Sequence, residues 1–132
     1  MIQSIYSGIV HFHETDAGQV VHHSNYLKYM ESARIALLSE HGLSYKAFQE
    51  EQIGLVPVRI SIDYIKPLRQ EDPYEVHTCL SIRSKASLSA QQNIWSNQHV
   101  VCRATIILAC INEAKFKIIK LPEKLKFLKK PV

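Results

Sequence analysis

The chain's densest run of chemistry-bearing side chains is His11-Phe12-His13-Glu14-Thr15-Asp16-Ala17-Gly18-Gln19-Val20-Val21-His22-His23-Ser24-Asn25-Tyr26. It ends in the approach to a long helical pattern. A carboxylate such as Asp16 in a loop can act as a general base on water or as a nucleophile. A helix N-terminus supplies unpaired N–H groups and the positive end of the helix dipole. Such a terminus can stabilise the oxyanion of an acyl-transfer reaction. The same Asp could instead serve as a turn or capping residue, a common use of Asp. His11 and His13 share a strand face, and with His22, His23, Glu14 and Asp16 they raise a metal reading. Their spacing fits none of the common zinc patterns, so no metal is expected. His41, His77 and His99 read as bystanders at or near the surface. Trp95 and the scattered tyrosines read as packing residues.

These groups need elements to hold them. Residues 5–12 predict a first strand. Ser24 can cap the helix that follows, because its hydroxyl can accept a nearby backbone N–H. No Pro or Gly occurs between residues 25 and 41, and Tyr26, Met30, Ala33 and Leu37 fall at helical spacing. Leu27, Tyr29, Ile35, Ala36 and Leu38 widen the stripe to most of the circumference. A helix apolar nearly all round is enclosed by protein. At ~1.5 Å per residue it is about 25 Å long. Gly42 is a natural left-handed stop, and residues 44–52 predict a second, short helix. After Gly54 the period changes to two, with strands over 56–65, 74–83, 88–97 and 100–111 and a turn at Asp72-Pro73. The stretch 100–111 is apolar on both faces and is expected at the centre of the sheet. Residues 116–119 add a short edge strand, and Pro122 opens a basic final helix. The order predicts an α+β fold, a long helix wrapped by a curved antiparallel sheet of five or more strands. One sheet cannot cover a helix that is apolar all round, so a second copy of the chain is expected.

The 132 residues suit a single domain over 1–132, with no linker, repeat or low-complexity tract. No apolar run approaches the ~20 residues of a transmembrane helix. The first eight residues lack the pattern of a secretory signal, so a cytoplasmic location is expected. Cys79, Cys102 and Cys110 are widely spaced and form no C-x-x-C pair, which predicts small, reduced, buried side chains. The net charge of +4 is uneven. Lys115, Lys117, Lys120, Lys124, Lys126, Lys129 and Lys130 crowd the C-terminal end, opposed by Glu123 and the terminal carboxylate. A basic edge fits an anionic partner or a solvated face. It lacks interleaved aromatics or a nucleic-acid motif, so no nucleic acid is expected.

Thr15-Asp16-Ala17-Gly18, then Val20-Val21-His22-His23-Ser24-Asn25-Tyr26, then Glu31-Ser32-Ala33-Arg34 resemble the signature of the 4-hydroxybenzoyl-CoA thioesterase superfamily. Within it they are most similar to YbgC-type acyl-CoA thioesterases, whose pattern runs roughly D-T-D-A-G-G-V-V-Y-H-x-x-Y followed by E-x-A-R. Weaker similarity extends through Asp63-Tyr64 and Lys66-Pro67 to Lys120-Leu121-Pro122. The resemblance implies the hotdog fold, homodimers that often assemble into homotetramers, an acyl-CoA substrate and no cofactor. Asp16 matches the catalytic carboxylate. His23 matches the histidine at the helix entrance, and its backbone N–H matches the amide that polarises the thioester carbonyl. Three positions depart from the pattern: Phe12 where a tyrosine is frequent, His22 for the tyrosine before the matched histidine, and Gln19 for the second glycine. Glu31 is a rival to Asp16, because some hotdog enzymes carry the catalytic acid on this helix; its plainer role is an ion pair with Arg34 three residues on. Coenzyme A carries a 3′-phosphate and a pyrophosphate, so Arg83, Lys85, Lys124 and Lys126 are expected near the mouth of the site. Competing expectations are a thioesterase or hydratase acting on acyl carrier protein, or a non-catalytic module that binds through its basic tail.

Overall fold

The period-two stretches after Gly54 form four long strands in the computed structural model, which describes residues 2–129. Lys130, counted above in the basic tail, lies outside them. In chain order the elements are β1 (Ile2–Ile9), a 3-10 turn (Phe12–Glu14), α1 (His23–Glu40), α2 (Tyr45–Glu50), β2 (Ile53–Tyr64), β3 (Pro73–Ser84), β4 (Ser87–Ser96), β5 (His99–Asn112), β6 (Lys117–Ile118) and a 3-10 turn (Glu123–Leu125). The strands form one antiparallel sheet in the order β1-β3-β4-β5-β2, with β6 added to β5. A curled antiparallel sheet around a long helix is the hotdog fold.

The inner face of the sheet carries Val76 and Leu80 from β3, Leu88, Ala90 and Ile94 from β4, and Cys102, Ala104, Ile106 and Leu108 from β5. Tyr26, Met30, Ala33 and Leu37 of α1 pack against it and are all buried. Leu68, Leu121, Leu125 and Leu128 close the core from the loops and the tail. The helix stops as Gly42 predicts. Gly42 has φ +74°, and the Leu43 and Gly42 N–H groups donate to the Leu38 and Ser39 carbonyls, the paired bonds of a Schellman motif.

Several expectations need correction. The first strand ends at Ile9, and Phe12 begins a 3-10 turn. Ser24 does not cap α1: the helix starts at His23, and the His22 ring accepts the Ser24 N–H through Nδ1 at 3.2 Å. β5 is an interior strand, but the middle of the sheet is β4, which carries the buried polar residue Gln92 on its inner face. Pro122 precedes a single 3-10 turn. The helix is not enclosed all round, since Lys28, Glu31, Ser32, Ser39 and Glu40 are exposed on its outer side. Glu31 and Arg34 do not pair. Arg34 is buried and its Nη1 donates instead to Gln92 Oε1 on β4 at 2.9 Å.

Candidate active site

The segment between β1 and α1 folds as a small hairpin. Thr15 and Val21 form an isolated antiparallel bridge, the Asp16 N–H donates to the Val20 carbonyl at 2.9 Å, and the Gln19 N–H donates to the Asp16 carbonyl at 2.9 Å. Asp16 also accepts the Gly18 N–H on Oδ1 at 2.8 Å. This is an Asx turn, so the plain role of a turn-forming Asp is present. It occupies one carboxylate oxygen and leaves Oδ2 outside the turn. The left-handed residue in the hairpin is Gln19, with φ +65°. That explains why a glycine suits this position in the similar family pattern.

Two contacts fasten the hairpin to the start of α1. The Glu14 carbonyl accepts both the His22 N–H at 3.0 Å and the Asn25 amide Nδ2 at 2.8 Å. The Val21 N–H donates to Leu68 O at 2.8 Å and ties the same segment to the loop after β2. Asp16 and His23 thereby line one cleft of about 360 Å³, together with Val20, Val21, Tyr26, Tyr64, Ile65, Lys66 and Pro67. The His23 N–H is the first of the helix and makes no hydrogen bond among the described residues. The Tyr64 hydroxyl donates to the His23 carbonyl at 3.1 Å, and its ring meets the His23 ring edge-on at 6.4 Å. Tyr26, at 5.3 Å from the Tyr64 ring, forms the inner wall and accepts the Leu68 N–H through its hydroxyl. Burial raises the pKa of both phenols. They therefore stay neutral at ordinary pH and offer a dipole rather than a charge.

Tyr64, Lys66 and Asn25 are site residues that the spacing of charged groups did not single out. Asp63-Tyr64 and Lys66-Pro67 were visible only as weak motif similarity. Nothing local marks a residue 41 positions downstream of His23 as its hydrogen-bond partner. The four basic residues expected at the mouth are not gathered at this cleft within one chain. Lys85 and Lys126 line a separate cleft of about 430 Å³ with Lys120, Ile82, Ser84 and Leu121. Lys124 pairs with Glu51 and lies over the Phe48 ring, while Arg83 donates to Ser87 Oγ at 3.4 Å. Glu31 is exposed on the outer side of α1 and does not line the cleft.

Phe12 is exposed and does not line the cleft with Asp16. His11 and His13 stack at 5.5 Å, but no group of three or more His, Cys, Asp or Glu able to hold a metal occurs among the described residues. Cys102 and Cys110 are buried. Burial pushes the Cys102 thiol up to about 12, which makes it a packing group rather than a nucleophile. A larger cleft, about 720 Å³, runs past Gly8, Tyr74, His77 and Trp95 and contains neither Asp16 nor His23. Size does not select the site here. The smaller cleft brings a carboxylate residue together with the residue that opens α1. No helix among the described residues is long and apolar enough to cross a membrane.

Comparison with known proteins follows this geometry. The thioesterase-like superfamily model matches residues 10–127. The chain is 30% identical over 118 residues to the acyl-CoA thioesterase YbgC of Haemophilus influenzae, covering 89% of this chain and 87% of the relative. It is 29% identical over 115 residues to the acyl-CoA thioester hydrolase YbgC of Escherichia coli O6:H1, covering 86% of each. Among solved structures it resembles the DHNA-CoA thioesterase of Staphylococcus aureus, with a TM-score of 0.86 and 27% identity over 92% of this chain and 82% of that one.

Proposed function

The chain belongs to the thioesterase-like superfamily, and we propose that it hydrolyses acyl-CoA thioesters at the Asp16–His23 cleft. The observation that carries this is the shared cleft: Asp16 and His23, whose helix-start N–H makes no hydrogen bond among the described residues, line the same space. The thioester carbonyl oxygen sits on the His23 N–H, where the helix dipole favours the negative charge that develops on it. Asp16 then draws a proton from water as the water attacks the carbonyl carbon, and CoA leaves as thiol. Direct attack by Asp16 would give a mixed anhydride instead. The water route is favoured because a carboxylate is a modest nucleophile. The His23 ring orients the water or the carboxylate. The acyl group lies against Val20, Val21, Tyr26 and Tyr64.

The CoA phosphates are assigned to Arg83, Lys85, Lys124 and Lys126. Because these lie apart from the cleft of their own chain, the reading requires that a second subunit bring them to it. Charge reversal at these positions raises KM for acyl-CoA far more than it lowers kcat, the signature of lost uniform binding.

The test is thiol release from a panel of acyl-CoAs of increasing chain length, with the unaltered protein and with Asp16→Asn. The substitution should lower kcat by about 10²–10⁴, the range of a lost general base, while acyl-CoA still binds. Near-normal hydrolysis by Asp16→Asn would overturn the reading. Single turnover in ¹⁸O-labelled water tests the anhydride. Label in Asp16 marks an anhydride opened at the Asp16 carboxyl carbon, whereas label confined to the product acid arises both from direct water attack and from an anhydride opened at the acyl carbon.

A further inference from the structure

The hairpin that carries Asp16 is exposed, and its own bonds are short-range. They fix its internal shape but not its angle to α1. Three backbone-directed bonds set that angle. His22 N–H and Asn25 Nδ2 converge on the Glu14 carbonyl, and Val21 N–H reaches Leu68 O. Of these donors only Asn25 is a side chain, and it stands on the first turn of α1, which begins at the cleft-lining residue His23. Its own N–H donates to His22 O at 2.9 Å, so its backbone is fixed as well. The amide therefore spans from the helix start to a carbonyl two residues before Asp16.

We propose that Asn25 is the positioning residue that holds the Asp16 carboxylate in register with the His23 N–H. The inference rests on the reading of Asp16 as the reacting carboxylate. Asn25 touches no reacting atom in it, and acts through the Glu14 carbonyl. Losing the amide leaves the hairpin one of its two fastenings on Glu14 and lets the carboxylate drift. A displacement near 1 Å can cost about 10²-fold in rate.

The experiment follows thiol release from butyryl-CoA by Asn25→Ala and Asn25→Asp between pH 4 and 8, beside Asp16→Asn. Asn25→Ala is expected to lose 10- to 100-fold in kcat, in rough keeping with that displacement, with KM little changed. Amide exchange across residues 16–22 is expected to quicken while the rest of the chain keeps its protection. Asn25→Asp presents a carboxylate to a carbonyl at pH 8 and is expected to be as impaired. Its activity relative to the unaltered protein at the same pH is expected to recover as the pH falls, because a protonated carboxyl can again donate to Glu14 O. Unchanged kcat in Asn25→Ala, or a fall that only tracks a smaller folded fraction, overturns the proposal. So does an Asn25→Asp ratio that stays flat with pH. An active Asp16→Asn overturns the underlying reading instead, whatever Asn25 does. The two failures are thus distinct.

Discussion

Gln19 is where the chain bends against its own chemistry. Its φ of +65° lies in the left-handed region, which costs a residue with a Cβ about 1–2 kcal/mol. The side chain is exposed and makes no hydrogen bond among the described residues, so little is gained in return. Gln19→Gly relieves this strain, offset in part by the greater freedom of glycine in the unfolded chain. The expected result is a gain of up to about 1 kcal/mol in chemical denaturation, with thiol release unchanged. Gln19→Val is expected to destabilise and to lower kcat, because a β-branched residue tolerates this φ poorly. A more stable Gln19→Val would sink the strain argument. The sequence exposed this position only as a departure from a family glycine. The neighbouring Gly18 does not take the left-handed conformation; its part is to donate its N–H to Asp16 Oδ1. Residue types announced that a turn was present. Which residue takes the left-handed conformation depends on backbone bonds such as Gln19 N–H to Asp16 O, which composition does not show.

Among the elements, α1 was the most legible and its anchoring the least. Its apolar stripe and its Gly42 stop are local patterns, and both are found in the structure. Arg34 illustrates the limit. Spacing of three on a helix offers Glu31 as its partner, yet the side chain turns inward to Gln92, 58 residues away. Gln92 is fully buried and joins three elements: it accepts from Arg34, and its Nε2 donates to Met30 O on α1 and to Thr78 Oγ1 on β3, both at 2.9 Å. Burial pulls the Arg34 pKa below its usual value, and a guanidinium is not deprotonated in proteins. A buried cation held by neutral dipoles depends on each of them. Gln92→Leu is expected to cost roughly 2–4 kcal/mol, the penalty of stranding a buried charged donor. Adding Arg34→Met to it should recover much of that loss, since an apolar pair of similar volume needs no partner. Urea unfolding of the two single variants and the double variant measures the coupling. Additive losses would mean that the two side chains do not act as one clamp.

At the scale of the whole molecule, a dimer needs another reason than the one the helix pattern offers. The outer side of α1 is polar and solvated, so the helix does not require a second copy. The sheet does offer a surface for one. β2 is an edge strand of 12 residues, paired to β5 on one side only. Pro57 and the bulge between Pro57 and Arg59 interrupt its early part, as is usual for edges. Beyond the bulge the strand runs regularly from Arg59 to Tyr64. Val58 is 62% exposed, Ile60 42% and Tyr64 47%. A regular, partly apolar edge with unpaired backbone groups is a template for another strand. Ile60 and Tyr64 lie opposite Ile106 and Cys102 of the inner face, on the side where the cleft opens. Pairing of β2 with β2 of a second copy would cover these residues. Sedimentation at micromolar concentration is expected to show at least a dimer. Ile60→Lys puts a charge on the edge and is expected to yield monomers that keep the far-ultraviolet circular dichroism of the parent. Their KM for acyl-CoA should rise sharply if the phosphates are held by the second subunit. A parent chain that sediments as a clean monomer and still hydrolyses acyl-CoA would remove both the dimer and the shared phosphate site.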